Sequence, residues 1–328
     1  MAVLTRRPPP RRRVRGPVLL VVNPASRRGS ALQLEARRAL ARLEVTADEV
    51  ATTEAGHAAR VAVERGADYE AIFALGGDGT AMEVIGALAG TGRMVGILPG
   101  GTGNLVARTL RIPLGVTRAV HALVHGDEAL IDLGRLSTGQ RFAFAAGVGA
   151  DAYMIAHTPK PWKRRLGVVA YALTASQGLL LRRQPFEVRA TVDGRVYERT
   201  ATAAMVANFG SVLNRMFLLG PGIRQDDGVL DLCIFSPSNA EETVRMMWKL
   251  SRGDFRDVPY MSWVPGRRIV VETDPPQLAQ ADGELLGPGP LSVSVEPLAA
   301  RLLVPVAPGV RPPFERREPR EPLEAPHG

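Results

Sequence analysis

Over the first 130 positions the apolar residues follow two alternating rhythms. Unbroken apolar runs, Val18 to Val22, Ala71 to Leu75 and Met94 to Leu98, are short and bounded by Gly, Asn, Pro or Asp, as expected of strands buried on both faces. Between them the spacing becomes helical. Leu32, Ala36, Ala39, Leu40 and Leu43 mark a helix over Ser30 to Leu43, and similar patterns predict helices near Gly56 to Arg65, Ala81 to Leu88, Asn104 to Leu110 and Val116 to His125. Another strand is expected within Glu44 to Thr52. Strands alternating with helices over short links predict an α/β domain built on a parallel sheet.

The rhythm changes near Ala129. Ile131 to Gly134, Arg141 to Ala145, Phe186 to Val192, Val196 to Glu198, Thr202 to Ala207, Val229 to Phe235, Arg268 to Glu272 and Leu291 to Val295 read as strands, with Asp193-Gly194 as a hairpin turn. Helical stretches interrupt them at Pro161 to Leu181 and Ala240 to Arg252. This half predicts an antiparallel, β-rich sandwich or barrel. The last apolar run, Arg301 to Val306, is expected to return to the first domain as an edge strand. The expected organisation is a basic tail at 1–16, an α/β domain at 17–130 with 297–307, a β-rich domain at 131–296 and a Pro-rich tail at 308–328.

Composition narrows the class. The chain is 45% hydrophobic over 328 residues, enough for two cores, and its single cysteine, Cys233, excludes an internal disulfide framework. The most apolar stretch, Gly167 to Leu181, is too short to span a bilayer and carries Ser176 and Gln177. A soluble cytoplasmic protein is expected. The net charge of +8 is concentrated: Arg6, Arg7, Arg11, Arg12, Arg13 and Arg15 account for most of it, leaving about +2 for the remainder. That tail reads either as a solvated extension or as a tether to anionic lipid. It lacks the interleaved aromatics of a nucleic-acid binder, and no nucleic-acid partner is expected.

The chemistry concentrates in two glycine turns, Gly76-Gly77-Asp78-Gly79-Thr80 and Pro99-Gly100-Gly101-Thr102-Gly103-Asn104. Each lies where a strand passes into a helix. Glycines there let backbone N–H groups approach a ligand, and a helix N-terminus favours an anion. Two such turns on neighbouring strand ends predict a polyphosphate site. Asn23-Pro24-Ala25-Ser26 and Thr52 end the first two strands on the same edge. Asp78 reads either as a metal or water ligand or as a helix cap. No Gly-Lys-Ser/Thr P-loop occurs, and the first strand-helix turn lacks G-x-G-x-x-G.

These segments in order, NPAS, TTEAGHA, GGDGT and PGGTGNLVARTL, followed by GVGADAYM, VANFG, GPGIRQDDGVLDL and ADGE, resemble the diacylglycerol kinase catalytic-domain family, which includes bacterial lipid kinases and is related to sphingosine kinases. The resemblance spans roughly residues 17 to 306. It implies ATP-dependent transfer of a γ-phosphoryl group to a lipid hydroxyl, with diacylglycerol the commonest acceptor. By motif match, ATP would be bound through Asn23, Pro24, Ala25, Ser26, Thr52, Gly77, Asp78, Gly79, Thr80, Glu83, Thr102 and Asn104. The base on the acceptor hydroxyl would come from the D-G-E turn, either Asp282 or Glu284. Mg²⁺ would accompany the phosphates, and a structural Mg²⁺ would sit at the D-D-G turn on the Asp227 carboxylate and the carbonyls of Arg224 and Val229. Met82 stands where the family often has Asn.

A lipid acceptor implies peripheral association with the inner face of the cell membrane. Lys160, Trp162, Lys163, Arg164 and Arg165, ahead of an apolar run, form either an interfacial element or a helix with a solvated basic end. Met246, Met247 and Trp248 read as core. His121 and His125, four apart on one helix, lack a third ligand. Other lipids (a sphingoid base, ceramide, phosphatidylglycerol), a soluble NAD kinase sharing GGDGT, and a nucleotide- or lipid-binding regulator are the alternatives. Oligomeric state is left open.

Overall fold

The computed structural model describes residues 14–25, 29–149, 185–212 and 217–306. The chain divides into two compact units: the first ends at Leu130 and resumes at Arg301, and the second runs from Ile131 to Ala300.

The first unit is the expected α/β domain. Strands β1 (Val18–Val22), β2 (Ala47–Ala51), β3 (Ala71–Gly76) and β4 (Met94–Pro99) lie in the order β2-β1-β3-β4, all parallel. Every residue of β1, β3 and β4 is buried. That is why those strands read as unbroken apolar runs, whereas half-exposed β2 carries Asp48 and Glu49. Arg301 and Leu302 pair parallel with Met94 and Val95, so the last apolar run returns to this sheet as expected, but not as an edge, because the strand that carries it, Leu291–Val304, pairs with further strands as well.

Helices α1 (Gly29–Arg42), α2 (His57–Arg65), α3 (Asp78–Ala87), α4 (Leu105–Thr109) and α5 (Val116–Val124) supply the connections. Helix α3 begins at Asp78, three residues before the expected Ala81, because Gly77 in extended conformation already ends the strand.

The second unit is antiparallel. One sheet runs β14 (Met261–Gly266), β13 (Leu230–Phe235), β10 (Ala203–Ala207), β7 (Ala145–Gly149), β16 (Leu278–Ala281) and β17 (Glu284–Pro288). Facing it, β15 (Arg268–Asp274) pairs with β8 (Phe186–Val192) and with Leu291–Ser294 of β18 (Leu291–Val304), and β8 pairs with β9 (Arg195–Ala201). Val148, Val206, Leu232 and Ile234 meet Val188, Ala190, Ile269 and Val271 in one core, which makes this unit a β sandwich.

Asp193 and Gly194 both take positive φ in the β8–β9 hairpin, as the turn chemistry predicts. The expected strand Ile131 to Gly134 lies within β5 (Asp127–Leu136), the expected strand Arg141 to Ala145 is two pieces, β6 (Arg141–Phe142) and β7, and two short strands, β11 (Ser211–Val212) and β12 (Phe217–Leu218), pair with each other. Strands β14, β16 and β17 were not legible as strands: Pro265 interrupts the first, Gly287 and Pro288 the last, and β16 has only four residues. Helix α6 (Ala240–Arg252) is capped by Asn239, whose side chain accepts from the Glu242 N–H, and it buries Thr243, Met246 and Leu250. The expected helix Pro161 to Leu181, with the Lys160–Arg165 cluster, lies outside the described residues, as do the Arg-rich tail through Arg13, Ser26, and Asp151 to Met154 of GVGADAYM.

Candidate functional site

In the first unit the two glycine turns stack directly on each other. The Gly100 N–H donates to the Gly76 carbonyl at 2.7 Å. A Cβ added to Gly101 would lie 2.6 Å from the Gly77 Cα, and one on Gly76 would strike the Thr80 Oγ1 at 2.6 Å. The turns are therefore glycine because backbone passes against backbone.

Side chains lock this contact. Asn104, at φ 50°, accepts from the Gly101 N–H through Oδ1 (2.9 Å) and donates to the Gly101 carbonyl through Nδ2 (2.8 Å), closing the second turn on itself. Asp78 does cap a helix, but not its own. Its carboxylate accepts from the Val106 N–H at 3.0 Å, across to the start of α4. Burial pushes this carboxyl above its ordinary range, opposed by N–H bonds from Val106, Leu105 and Asn104. Thr80 is buried, and its hydroxyl accepts from the Asn23 Nδ2 at 3.0 Å, tying the end of β1 to the first turn of α3. Asn23 also accepts from the Ala25 N–H.

The end of β2 is held on both sides: Thr52 N–H donates to the Val22 carbonyl, and Thr53 N–H donates to the His57 Nδ1. Asn23, Thr52, the Gly77–Thr80 turn and the Gly101–Asn104 turn thus lie together at the carboxyl ends of β1, β2, β3 and β4. The N-cap residue of α3, Gly77, makes no side-chain cap. Pro24 and Ala25 are exposed beside them, while Glu83, Met82 and Thr102 are half-buried.

In the second unit the D-G-E turn is a two-residue hairpin between β16 and β17, with Asp282 at φ 45° and Gly283 at φ 88°. Its two acids have separate situations. The Asp282 carboxylate accepts from the backbone N–H groups of Ala143 (2.7 Å), Phe144 (2.9 Å) and Ala145 (3.1 Å). Glu284 is exposed, with the Gln140 amide at 3.4 Å from its Oε2. The turn is further fixed by the Gly283 N–H, which donates to the Gln280 Oε1.

A second acidic centre surrounds the D-D-G turn. Asp132, which entered the sequence reading only as part of a strand, is completely buried. Its carboxylate accepts from Gly228 and Leu298 N–H groups at 2.7 Å each. Burial pushes its carboxyl up to about 6, those N–H groups oppose the shift, and the charges of Asp227 and Asp226 add to it. Asn208, from VANFG, is also fully buried and donates to the carbonyls of Asp132 and Ala143. The available signal for Asp132 was a charged residue inside the apolar run Ala129 to Leu133, since an acid there needs dedicated partners.

Residues 17–136 match the diacylglycerol kinase catalytic domain, and residues 144–304 match the YegS C-terminal NAD kinase beta sandwich-like domain. A diacylglycerol kinase of Bacillus subtilis is 31% identical over 243 residues, covering 72% of this chain and 78% of that protein. The chain belongs to the diacylglycerol kinase family.

Within this family a Mycobacterium tuberculosis diacylglycerol kinase is 28% identical over 308 residues, 90% of this chain and 97% of its own. An uncharacterized Synechocystis protein is 30% identical over 240 residues, and the match spans 72% of this chain but only 55% of that relative. Among solved structures, a diacylglycerol kinase from Bacillus anthracis shares the fold, with a TM-score of 0.68 at 23% identity, covering 90% of this chain and 98% of its own. Membership makes the chain a kinase, a class that uses ATP.

The family's structural Mg²⁺ can be tested against the residues present. Among the described residues no three His, Cys, Asp or Glu side chains gather as a metal cluster. Asp227 is nonetheless buried, and its charge adds to that of buried Asp132, while Arg224 pairs with Asp226 at 2.8 Å. The Asn208 Oδ1 is buried without a hydrogen-bond partner. One carboxylate with carbonyls and water is a donor set that suits Mg²⁺. Asp227 is a buried carboxylate of the kind such a set needs, and its Oδ1 accepts from the Val229 N–H at 3.4 Å. No described helix is long and apolar enough to cross a membrane.

Proposed function

We propose that this chain transfers the γ-phosphoryl group of ATP to the hydroxyl of a lipid, with diacylglycerol the acceptor and phosphatidic acid the product, working peripherally at the inner face of the cell membrane. The observation that carries the reading is the division of roles at the D-G-E turn. Asp282 is committed to three backbone N–H groups, and Glu284 is left as the exposed carboxylate.

Phosphoryl transfer needs positioning and charge neutralisation more than covalent chemistry from the protein. The stacked glycine turns and the start of α3 would bind the phosphates, with Asn23, Pro24, Ala25, Thr52, Glu83 and Thr102 around them. Asp78, Thr80 and Asn104 hold those turns in shape. Glu284 would accept the proton of the lipid hydroxyl as its oxygen bonds to the γ-phosphorus and the bond to the bridging oxygen of ADP breaks. Such a base contributes about 10²–10⁴-fold. Asp282 acts by holding the turn that carries Glu284. Asp227 and the carbonyls of Arg224 and Val229 would hold Mg²⁺, whose charge favours an ordered acidic turn; a Mg²⁺ that arrives with ATP supplies charge neutralisation on the phosphates.

Incubation with labelled ATP and a panel of mixed-micelle lipids (diacylglycerol, ceramide, a sphingoid base, phosphatidylglycerol), with NAD as soluble control, tests the proposal. Labelled phosphatidic acid that disappears in Glu284→Gln supports it. Label on NAD alone would overturn it.

A further inference from the structure

The outer face of α6 departs from its expected reading. Met246 is buried as anticipated, but Trp248 is 59% exposed and Val244 60% exposed. Four residues apart, they stand on one face of the helix, opposite Met246 and Leu250, which enter the core with Cys233, Phe235 and Met261. Elsewhere the exposed large apolar residues of the described chain are scattered through both units.

The polar groups around this pair are of both signs, with Arg252 left as the cation that no described acid pairs. The Arg252 guanidinium lies 4.1 Å over the Trp248 ring. Arg245 stands one residue beyond Val244 and pairs with Glu241 at 2.8 Å. The other acid of the first turn, Glu242, is occupied by the Ser238 N–H. An indole flanked by arginines suits the headgroup layer, where the ring sits among acyl-chain ends and the guanidinium groups meet phosphates.

We propose that the Val244–Trp248 face of α6 is the surface by which this protein docks on an anionic phospholipid bilayer. The assignment rests on the lipid-kinase reading for its purpose, since a diacylglycerol acceptor resides in a membrane. Its evidence is separate from that reading: an exposed apolar pair on the face of α6 opposite its buried residues, and charge complementarity between Arg252, with Arg245 once released from Glu241, and lipid phosphate.

Sedimentation of the full chain with phosphatidylglycerol-containing vesicles tests it. Wild type is expected in the vesicle pellet, with less in the pellet of pure phosphatidylcholine vesicles. Trp248→Ala should weaken partitioning about tenfold, since binding scales with inserted apolar area, and Arg245→Gln with Arg252→Gln should remove the preference for anionic vesicles. Both variants change exposed positions, and an unaltered melting temperature confirms their folding. Wild-type partitioning by folded Trp248→Ala overturns the proposal and leaves the face to a protein partner or to none. Failure of the kinase reading shows elsewhere, as absence of transfer to any lipid by the wild type, and does not alter the sedimentation result.

Discussion

Replacing Asp282 by alanine removes the acceptor for three backbone N–H groups at once, those of Ala143, Phe144 and Ala145. A hydrogen bond to a charged group contributes about 1.5–3 kcal/mol. Asp282 is half-buried, so the lower end applies, and the three together come to about 3–5 kcal/mol. Alanine at φ 45° adds roughly 1 kcal/mol, because its Cβ crowds the carbonyl in a left-handed conformation that aspartate and asparagine tolerate better. Asp282→Asn is milder. Its amide oxygen can still serve Phe144 and Ala145, while the NH₂ group confronts the Ala143 N–H, a loss of about 1.5–3 kcal/mol.

Glu284→Gln touches an exposed side chain and should change stability by no more than about 0.5 kcal/mol, while lowering kcat about 10²–10⁴-fold. Thermal denaturation and steady-state kinetics on the three variants separate the roles. Asp282→Ala should lower the melting temperature on the order of 10 °C, Asp282→Asn less, and Glu284→Gln not measurably, although Glu284→Gln is the variant with native stability and lost turnover. A native melting temperature for Asp282→Ala would refute the latch. Full kcat in Glu284→Gln would refute the assignment of the base.

Gly101→Ala would place a methyl 2.6 Å from the Gly77 Cα, forcing the two glycine turns apart; a loss of about 1–3 kcal/mol is expected, with weaker stabilisation by ATP in thermal-shift titration. Because burial raises the Asp78 carboxyl above its ordinary range, its charged form is penalised in the folded state. The folded protein therefore loses stability relative to Asp78→Asn as pH rises from about 4 through the raised value, and the difference is constant above it; denaturant midpoints of both proteins across that range check the sign. If Asp227 holds Mg²⁺, added Mg²⁺ should raise the wild-type melting temperature and chelation reverse it, with the shift absent in Asp227→Asn.

How much of this could be read before folding depends on the range of the forces involved. Strands β1, β3 and β4 and helices α1, α2 and α5 follow from periodicity, because each buries a face whose pattern is local. The D-G turns at Asp193 and Asp282 follow from backbone preference at positive φ. The ordered motifs identified the family, and glycine against glycine leaves its mark in both turns. Strands β16 and β17 escaped detection because sheet pairing, rather than the four residues of one or the interrupted pattern of the other, makes them strands.

Tertiary structure decided what each polar side chain touches. Two residues apart in the chain, Asp282 and Glu284 look alike as acids; the N–H groups of Ala143 to Ala145, about 140 residues earlier, hold the first and leave the second exposed. The contact of Asp78 with the start of α4 appears only on folding, and Asp132 was one letter of a strand until Gly228 and Leu298 enclosed its carboxylate. Trp248 carried the same helical spacing as buried Met246, and only the packing of α6 turned one inward and the other to solvent. Periodicity reports that a face will be buried, but a hydrogen bond or an exposure depends on groups that sequence distance hides and folding brings within 3 Å.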